Sequence, residues 1–167
     1  VAFDDESSIL ASLSPPEGVA YGDPIKPLYC KHKIKLTDEI FGQVYDGMGR
    51  LLSDPTKGIF CTHTESGIGT NVIADAVPAT SKPRISDPIA TGIKVIDAFL
   101  TIGEGQRLGL FAGAGCGKTT LLASLARGCK VDATVFCLVG ERGRELKEFL
   151  DHELDDEIKA RSVLVCA

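Results

Sequence analysis

The spacing of hydrophobic positions changes near Asp87, and the change separates two kinds of predicted structure. Before it, short apolar stretches are broken at Pro15-Pro16, Gly22-Asp23-Pro24 and Asp46-Gly47, which predicts β structure punctuated by turns. Leu28, Cys30, His32, Ile34 and Leu36 alternate with Tyr29, Lys31, Lys33 and Lys35, the period of a half-exposed strand with its lysines in solvent. Residues 54–87 mix Thr, Ser, Gly and Pro without a sustained period and are expected to be mostly loop. After Asp87, Ile93, Ile96, Phe99 and Leu100 fall on one helical face, and residues 107–111 form a short apolar run that predicts a strand. Leu121, Leu122 and Leu125 mark one side of a second helix that Gly128 can close. Residues 133–139 are nearly all apolar, as a strand covered on both faces must be. Leu146, Phe149 and Leu150 repeat the helical spacing, and a last apolar strand spans 162–167. Strands and helices alternating in units of this length predict an α/β fold with a parallel sheet and right-handed crossovers.

One segment between a strand and a helix carries specific chemistry. Ala112-Gly113-Ala114-Gly115-Cys116-Gly117-Lys118-Thr119 has the spacing of a phosphate-binding P-loop, with alanine in place of the first glycine. Small, permissive residues let successive backbone N–H groups turn toward phosphate oxygens, and Gly113, Gly115 and Gly117 supply them. Lys118 offers a point charge to the β- and γ-phosphates, Thr119 a hydroxyl to Mg²⁺, and Thr120 a second hydroxyl at the positive end of the helix. Cys116 reads either as a small loop residue or as a thiol activated by Lys118 and the helix terminus.

Binding phosphate is not hydrolysis, which needs a group to orient the attacking water. The strand at 133–139 runs into Gly140-Glu141-Arg142-Gly143-Arg144-Glu145, and sites in parallel sheets gather beyond the carboxyl ends of strands. Glu141 is therefore the candidate that positions water and Arg142 the candidate that meets phosphate charge. By itself such a charged run reads as a solvated turn; the P-loop upstream favours the catalytic reading.

Composition adds few constraints. The formal charge of −5, with basic residues scattered, argues against nucleic acid as the principal partner. The six cysteines include no C-x-x-C pair, so free thiols in a reducing cytoplasm are expected. His32, His63 and His152 show no ligand spacing with one another or with cysteine, and no transition metal is expected. No apolar run is long enough for a membrane helix and no signal peptide is evident. The start at Val1, with Met48 the only methionine, points to an excised or truncated piece.

Thr91-Gly92-Ile93-Lys94-Val95-Ile96-Asp97, Gly105-Gln106-Arg107, the P-loop and the Gly140–Glu145 run together resemble the hexameric ATPases related to the rotary F-type ATP synthase. Gly143-Arg144-Glu145 continuing into Leu146-Lys147-Glu148-Phe149 is most similar to the flagellar and type III secretion export ATPases, since the synthase's catalytic subunit usually has threonine after the first arginine. Residues 41–50 resemble the segment that joins this family's N-terminal β-barrel to its nucleotide domain.

The resemblance implies that residues 1–33 end a β-barrel domain and that residues 34–167 begin a RecA-like ATPase domain, truncated before the strand bearing the Mg²⁺-ordering aspartate. It implies ATP and Mg²⁺ as ligands, bound by residues 113–120, and catalytic roles for Lys118, Glu141 and Arg142. It further implies a cytoplasmic homo-hexamer, peripheral to the membrane, that meets chaperone–substrate complexes, a stator-like regulator and an export gate. The fragment itself, lacking the aspartate and a neighbour's arginine, is expected to be inactive. A rotary proton- or sodium-translocating subunit, a hexameric RNA translocase and a non-catalytic ring subunit stand as alternatives. Gly143 counts against the first, the absence of an aromatic-plus-basic surface against the second, and Glu141 against the third.

Overall fold

A computed structural model of the chain describes residues 2–4, 7–12, 17–26, 32–59, 69–113, 115–141 and 143–167. Pro15-Pro16, the first half of the predicted strand at 28–36, Cys30, Cys61 and His63 lie outside the described residues. The chain divides into two compact units, Val1–Cys30 and Lys31–Ala167. In the first, β1 (Ala2–Asp4) and β2 (Ser7–Ile9) form an antiparallel hairpin, with Ala2 opposite Ile9.

The second unit is α/β. Its main sheet has five strands, which are β4 (Val44–Asp46), β5 (Arg50–Leu51), β6 (Asp54–Gly58), β10 (Thr134–Leu138) and β11 (Ser162–Cys166), in the order β10-β11-β4-β5-β6. β10, β11 and β4 run parallel, but β5 and β6 are antiparallel, so the sheet is mixed where the sequence pattern predicts a parallel one. The cause is the turn after β4. Asp46 folds its carboxylate over the turn and accepts from the backbone N–H groups of Met48 and Arg50 at 2.9 and 2.8 Å. A turn this tight returns the chain antiparallel, because a parallel neighbour needs a crossover of a dozen residues or more.

Two smaller ladders sit between these strands in sequence. β3 (Lys33–Ile34) pairs with β7 (Thr70–Asn71), and β8 (Pro88–Ile89) pairs with β9 (Ile102–Gly103). The stretch predicted as loop therefore contains β6 and β7 but is otherwise largely irregular among its described residues. α1 (Lys94–Phe99) lies between β8 and β9; only Ile96 of its predicted apolar face is buried, while Phe99 and Leu100 are exposed.

α2 (Lys118–Gly128), α3 (Gly143–Glu148), a π-helical turn (Phe149–Glu153) and α4 (Asp156–Ala160) link the long strands. One core joins Ala123 and Ala126 of α2, Phe136 of β10, Phe149, Leu154, Ile158 of α4 and Leu164 of β11. The face of α2 that reaches the core is its alanine pair, not the predicted leucines, which are half-buried. Small side chains let the helix approach closely, and Phe136 and Phe149 fill the space edge to face, with ring centroids 5.2 Å apart at 76°. Such a pair contributes about 0.5–1.5 kcal/mol beyond the area it buries. The opposite face of β10 is open among the described residues: Val135 is 69% exposed, so this strand is covered on one face rather than two. The predicted strand at 107–111 is not formed, and Leu108 and Phe111 are exposed. No described strand lies beside it to accept its backbone hydrogen bonds, and an apolar run without such a neighbour has no reason to extend.

α4 has no counterpart in the sequence reading. Asp155 caps it by accepting from the Ile158 N–H at 2.9 Å, and Ile158 is buried. Arg161 then reaches back to the carbonyls of Ala126 and Val131 at 2.6 and 3.0 Å, securing the end of α2.

Candidate functional site

The concavity of interest begins where α2 begins. Gly117, with φ +77°, occupies the left-handed region that a side chain would strain, and Gly115 does the same at +76°. The two turns bring the chain into α2 with Lys118 as its first residue, and no side chain caps the helix. Its first-turn N–H groups and its positive end thus face the loop, the arrangement that receives anions.

The second wall comes from β10. After Leu138 the chain passes through Gly140, whose φ of +71° turns it off the sheet and whose N–H donates to the Ala167 carbonyl at 2.6 Å. Glu141 follows. It lies on the same concavity as Ala112, Gly113, Gly115, Gly117, Lys118, Thr119 and Thr120, a space of about 610 Å³. That volume suits a small-molecule ligand. Lys118 and Glu141 are exposed and Thr119 is half-buried. Cys116 is exposed but is not among the lining residues. Ala114 and Arg142 lie outside the described residues.

Glu145, Glu148 and Glu153 also line the space, and sequence reasoning passed over all three. Glu145 and Glu148 sit on α3, and Glu153 closes the π-helical turn. The acidic spacing from Glu141 to Glu153 was the available signal, but it is also the pattern of a solvated helix. Thr120 Oγ1 donates to Glu153 Oε1 at 2.9 Å, so the hydroxyl assigned to the helix end from sequence is held by a carboxylate 33 residues away. Phe149 belongs both to this lining and to the core.

The donor set is therefore one ammonium, two threonine hydroxyls, loop amides and four carboxylates. Hard oxygen donors suit Mg²⁺. Among the described residues no cluster of three or more His, Cys, Asp or Glu side chains is close enough to hold a metal by itself. These residues fit a Mg²⁺ ion that shares its ligands with bound phosphate, the usual manner for this ion.

At the end of α2 away from the loop, Asp97 of α1 accepts from the Thr91 N–H at 2.9 Å, from Thr91 Oγ1 at 2.7 Å and from the Gly92 N–H at 3.0 Å. The Thr91 bonds, backbone first and hydroxyl second, hold the Asp97 carboxyl below the usual aspartate range. The turn they fix packs on the far end of α2 at Gly128. Threonine, glycine and aspartate at this spacing thus fix a turn against the helix that carries Lys118.

The description of the matching family model is ATP synthase alpha/beta family, nucleotide-binding domain, and the match covers residues 92–167. That stretch is similar to this family and makes up a little under half of the chain. Along its whole length the chain is similar to the export members. It is 53% identical over 167 residues to the type 3 secretion system ATPase of Pseudomonas syringae pv. syringae, covering 37% of that protein. It is 38% identical to the flagellum-specific ATP synthase of Borreliella burgdorferi, over 89% of this chain and 33% of that protein. A solved prototypical ATPase from the type III secretion system of pathogenic bacteria matches with a TM-score of 0.70 and 35% identity, over 82% of this chain and 38% of that one. The assembled ATPase EscN from enteropathogenic E. coli matches at 0.67 and 35%, over 81% and 31%. The chain thus spans about a third of the length of the relatives it matches.

Proposed function

We propose that the chain supplies the phosphate-binding part of a Mg²⁺-dependent ATPase that energises protein export. The observation that carries the reading is that Lys118 and Thr119, at the start of α2, share one concavity with Glu141, beyond the end of β10. Residues 113–120 would hold the phosphates, with Lys118 offering charge and Thr119 its hydroxyl to the cation. Glu141 would orient the attacking water and accept its proton, and Arg142 would meet charge at the γ-phosphate. Mg²⁺, when bound, neutralises phosphate charge and polarises the scissile bond.

The acidic lining makes the cation a requirement for binding as well. Free ATP would bring its negative charge toward Glu141, Glu145, Glu148 and Glu153, with Lys118 the single basic side chain among the described lining residues. In this reading residues 34–167 are the first part of a RecA-like domain and residues 1–33 the end of a β-barrel domain. The parent protein would work as a cytoplasmic homo-hexamer beside the membrane, engaging chaperone–substrate complexes, a stator-like regulator and the export gate. One of the similar structures holds EscN with its central stalk, a partner of the kind such a ring would need.

The test is a titration of the chain with a fluorescent ATP analogue, with and without Mg²⁺, alongside Lys118→Ala. Saturable binding that needs Mg²⁺ and is lost in the variant is expected. Binding unaffected by either change would remove the phosphate-loop assignment.

A further inference from the structure

The carboxylates of the site are carried by a segment that leaves the sheet at Gly140, and something must hold that segment at a fixed distance from α2. Two residues of α2 do so, and both reach Glu153. Thr120 Oγ1 donates to its side chain at 2.9 Å, while Arg127 Nη2 donates to its backbone carbonyl at 3.2 Å. Arg127 Nε also pairs with Asp155 at 3.2 Å, two residues farther on. The π-helical turn places Glu153 there: Leu154 N–H bonds the Phe149 carbonyl at 3.3 Å, five residues back, while Phe149 keeps its ring in the core.

Resting on the ATPase reading above, we infer that Glu153 is a positioning residue for hydrolysis. By accepting from Thr120 it fixes the separation between Lys118 and Thr119 on one side and Glu141 on the other. Thr120 is the next residue after Thr119 in the first turn of α2, and Glu153 terminates the segment that Glu141 begins. A carboxylate repels phosphate, so Glu153 is suited to the threonine hydroxyl and not to the nucleotide. The bond lies at an exposed position, where a hydrogen bond adds little to stability, whereas misplacing a reacting group by about 1 Å can cost roughly a hundredfold in rate.

A double-mutant cycle on ATP hydrolysis by the full-length protein tests this, using Thr120→Val, Glu153→Ala, the double variant, Glu153→Gln and Lys118→Ala. Each of the first two should lower kcat by roughly ten- to a hundredfold, with KM for ATP within about threefold of wild type. The double variant should lose no more than one single variant does. Glu153→Gln keeps an acceptor for Thr120 and should recover most of the rate. Multiplicative losses, an unchanged kcat, an effect confined to KM, or no recovery with Gln would overturn the inference. If Glu153→Ala fails to fold, Thr120→Val and Glu153→Gln carry the same comparison. Wild type turning over no faster than Lys118→Ala would defeat the ATPase reading itself, and this inference with it.

Discussion

Thr91 and Gly128 meet backbone to backbone: a methyl group built on Gly128 would overlap the Thr91 carbonyl oxygen. Thr91 is fully buried and fixed by Asp97, so neither partner can retreat without moving a strand or a helix.

That contact gives Gly128→Ala a sign opposite to helix propensity. Replacing glycine by alanine in a helix favours folding by about 1 kcal/mol, but forced overpacking of this kind costs about 1–3 kcal/mol or more. Gly143, at the start of α3, has open space around the same position. Gly128→Ala should therefore lower the urea midpoint, while Gly143→Ala leaves it unchanged or raises it. Equal midpoints for the two would show that the Thr91 turn does not rest on α2.

Acid should loosen the same region. Asp97 is held low by its bonds from Thr91, and Asp155 by the Ile158 N–H first and Arg127 after it. Depressed folded values mean that both carboxylates contribute stability above the ordinary aspartate range, and that this contribution is lost as pH falls through those lower values. Wild-type midpoints should fall as pH drops from about 5 to 3. The Asp97→Asn and Asp155→Asn variants should start lower and change less over that interval. A wild-type slope no steeper than theirs would contradict the assignment.

Much of the site was legible because its parts are local. Glycines at the turns, Lys118 opening α2 and an apolar strand running into Gly140 and Glu141 are short-range signals with fixed physical meanings. What was not legible depends on distant partners. The strand at 107–111 had the right composition but has no described neighbour, and β4 joins β11 across more than a hundred residues. The leucines of α2 outrank its alanines in hydrophobicity, yet closeness to Phe136 and Phe149 decides which face is buried. Glu153 faces the site because a π-helical turn shifts its phase, and no spacing rule for an α-helix anticipates that.

Cys116 offers a chemical probe of the loop. Its thiol is exposed beside the proposed phosphate cradle, and Cys137 is exposed on β10, away from the concavity's lining. Saturating Mg²⁺ and ATP should slow alkylation at Cys116 and leave Cys137 unaffected, as read by peptide mass. Equal protection of both cysteines, or of neither, would place bound nucleotide elsewhere.

Lys118 and Glu141 should fail differently in the full-length protein. Lys118 is proposed to contribute charge to bound phosphate in the ground state and the transition state alike, so Lys118→Ala should weaken nucleotide binding and abolish turnover together. Glu141 is proposed to act chiefly on water. Glu141→Gln keeps the size and much of the hydrogen bonding of the side chain but removes its charge, and a general base is typically worth about 10² to 10⁴ in rate. This variant should bind ATP nearly as wild type does and hydrolyse it at least a hundredfold more slowly, on that same scale. Persistent ATP should also favour the proposed ring, visible as a larger species in the presence of Mg²⁺ and ATP. Affinity and turnover measured for both variants in one buffer decide the matter. If Glu141→Gln turns over within a fewfold of wild type, Glu141 is a solvated residue at the end of β10, and the base that activates water lies elsewhere.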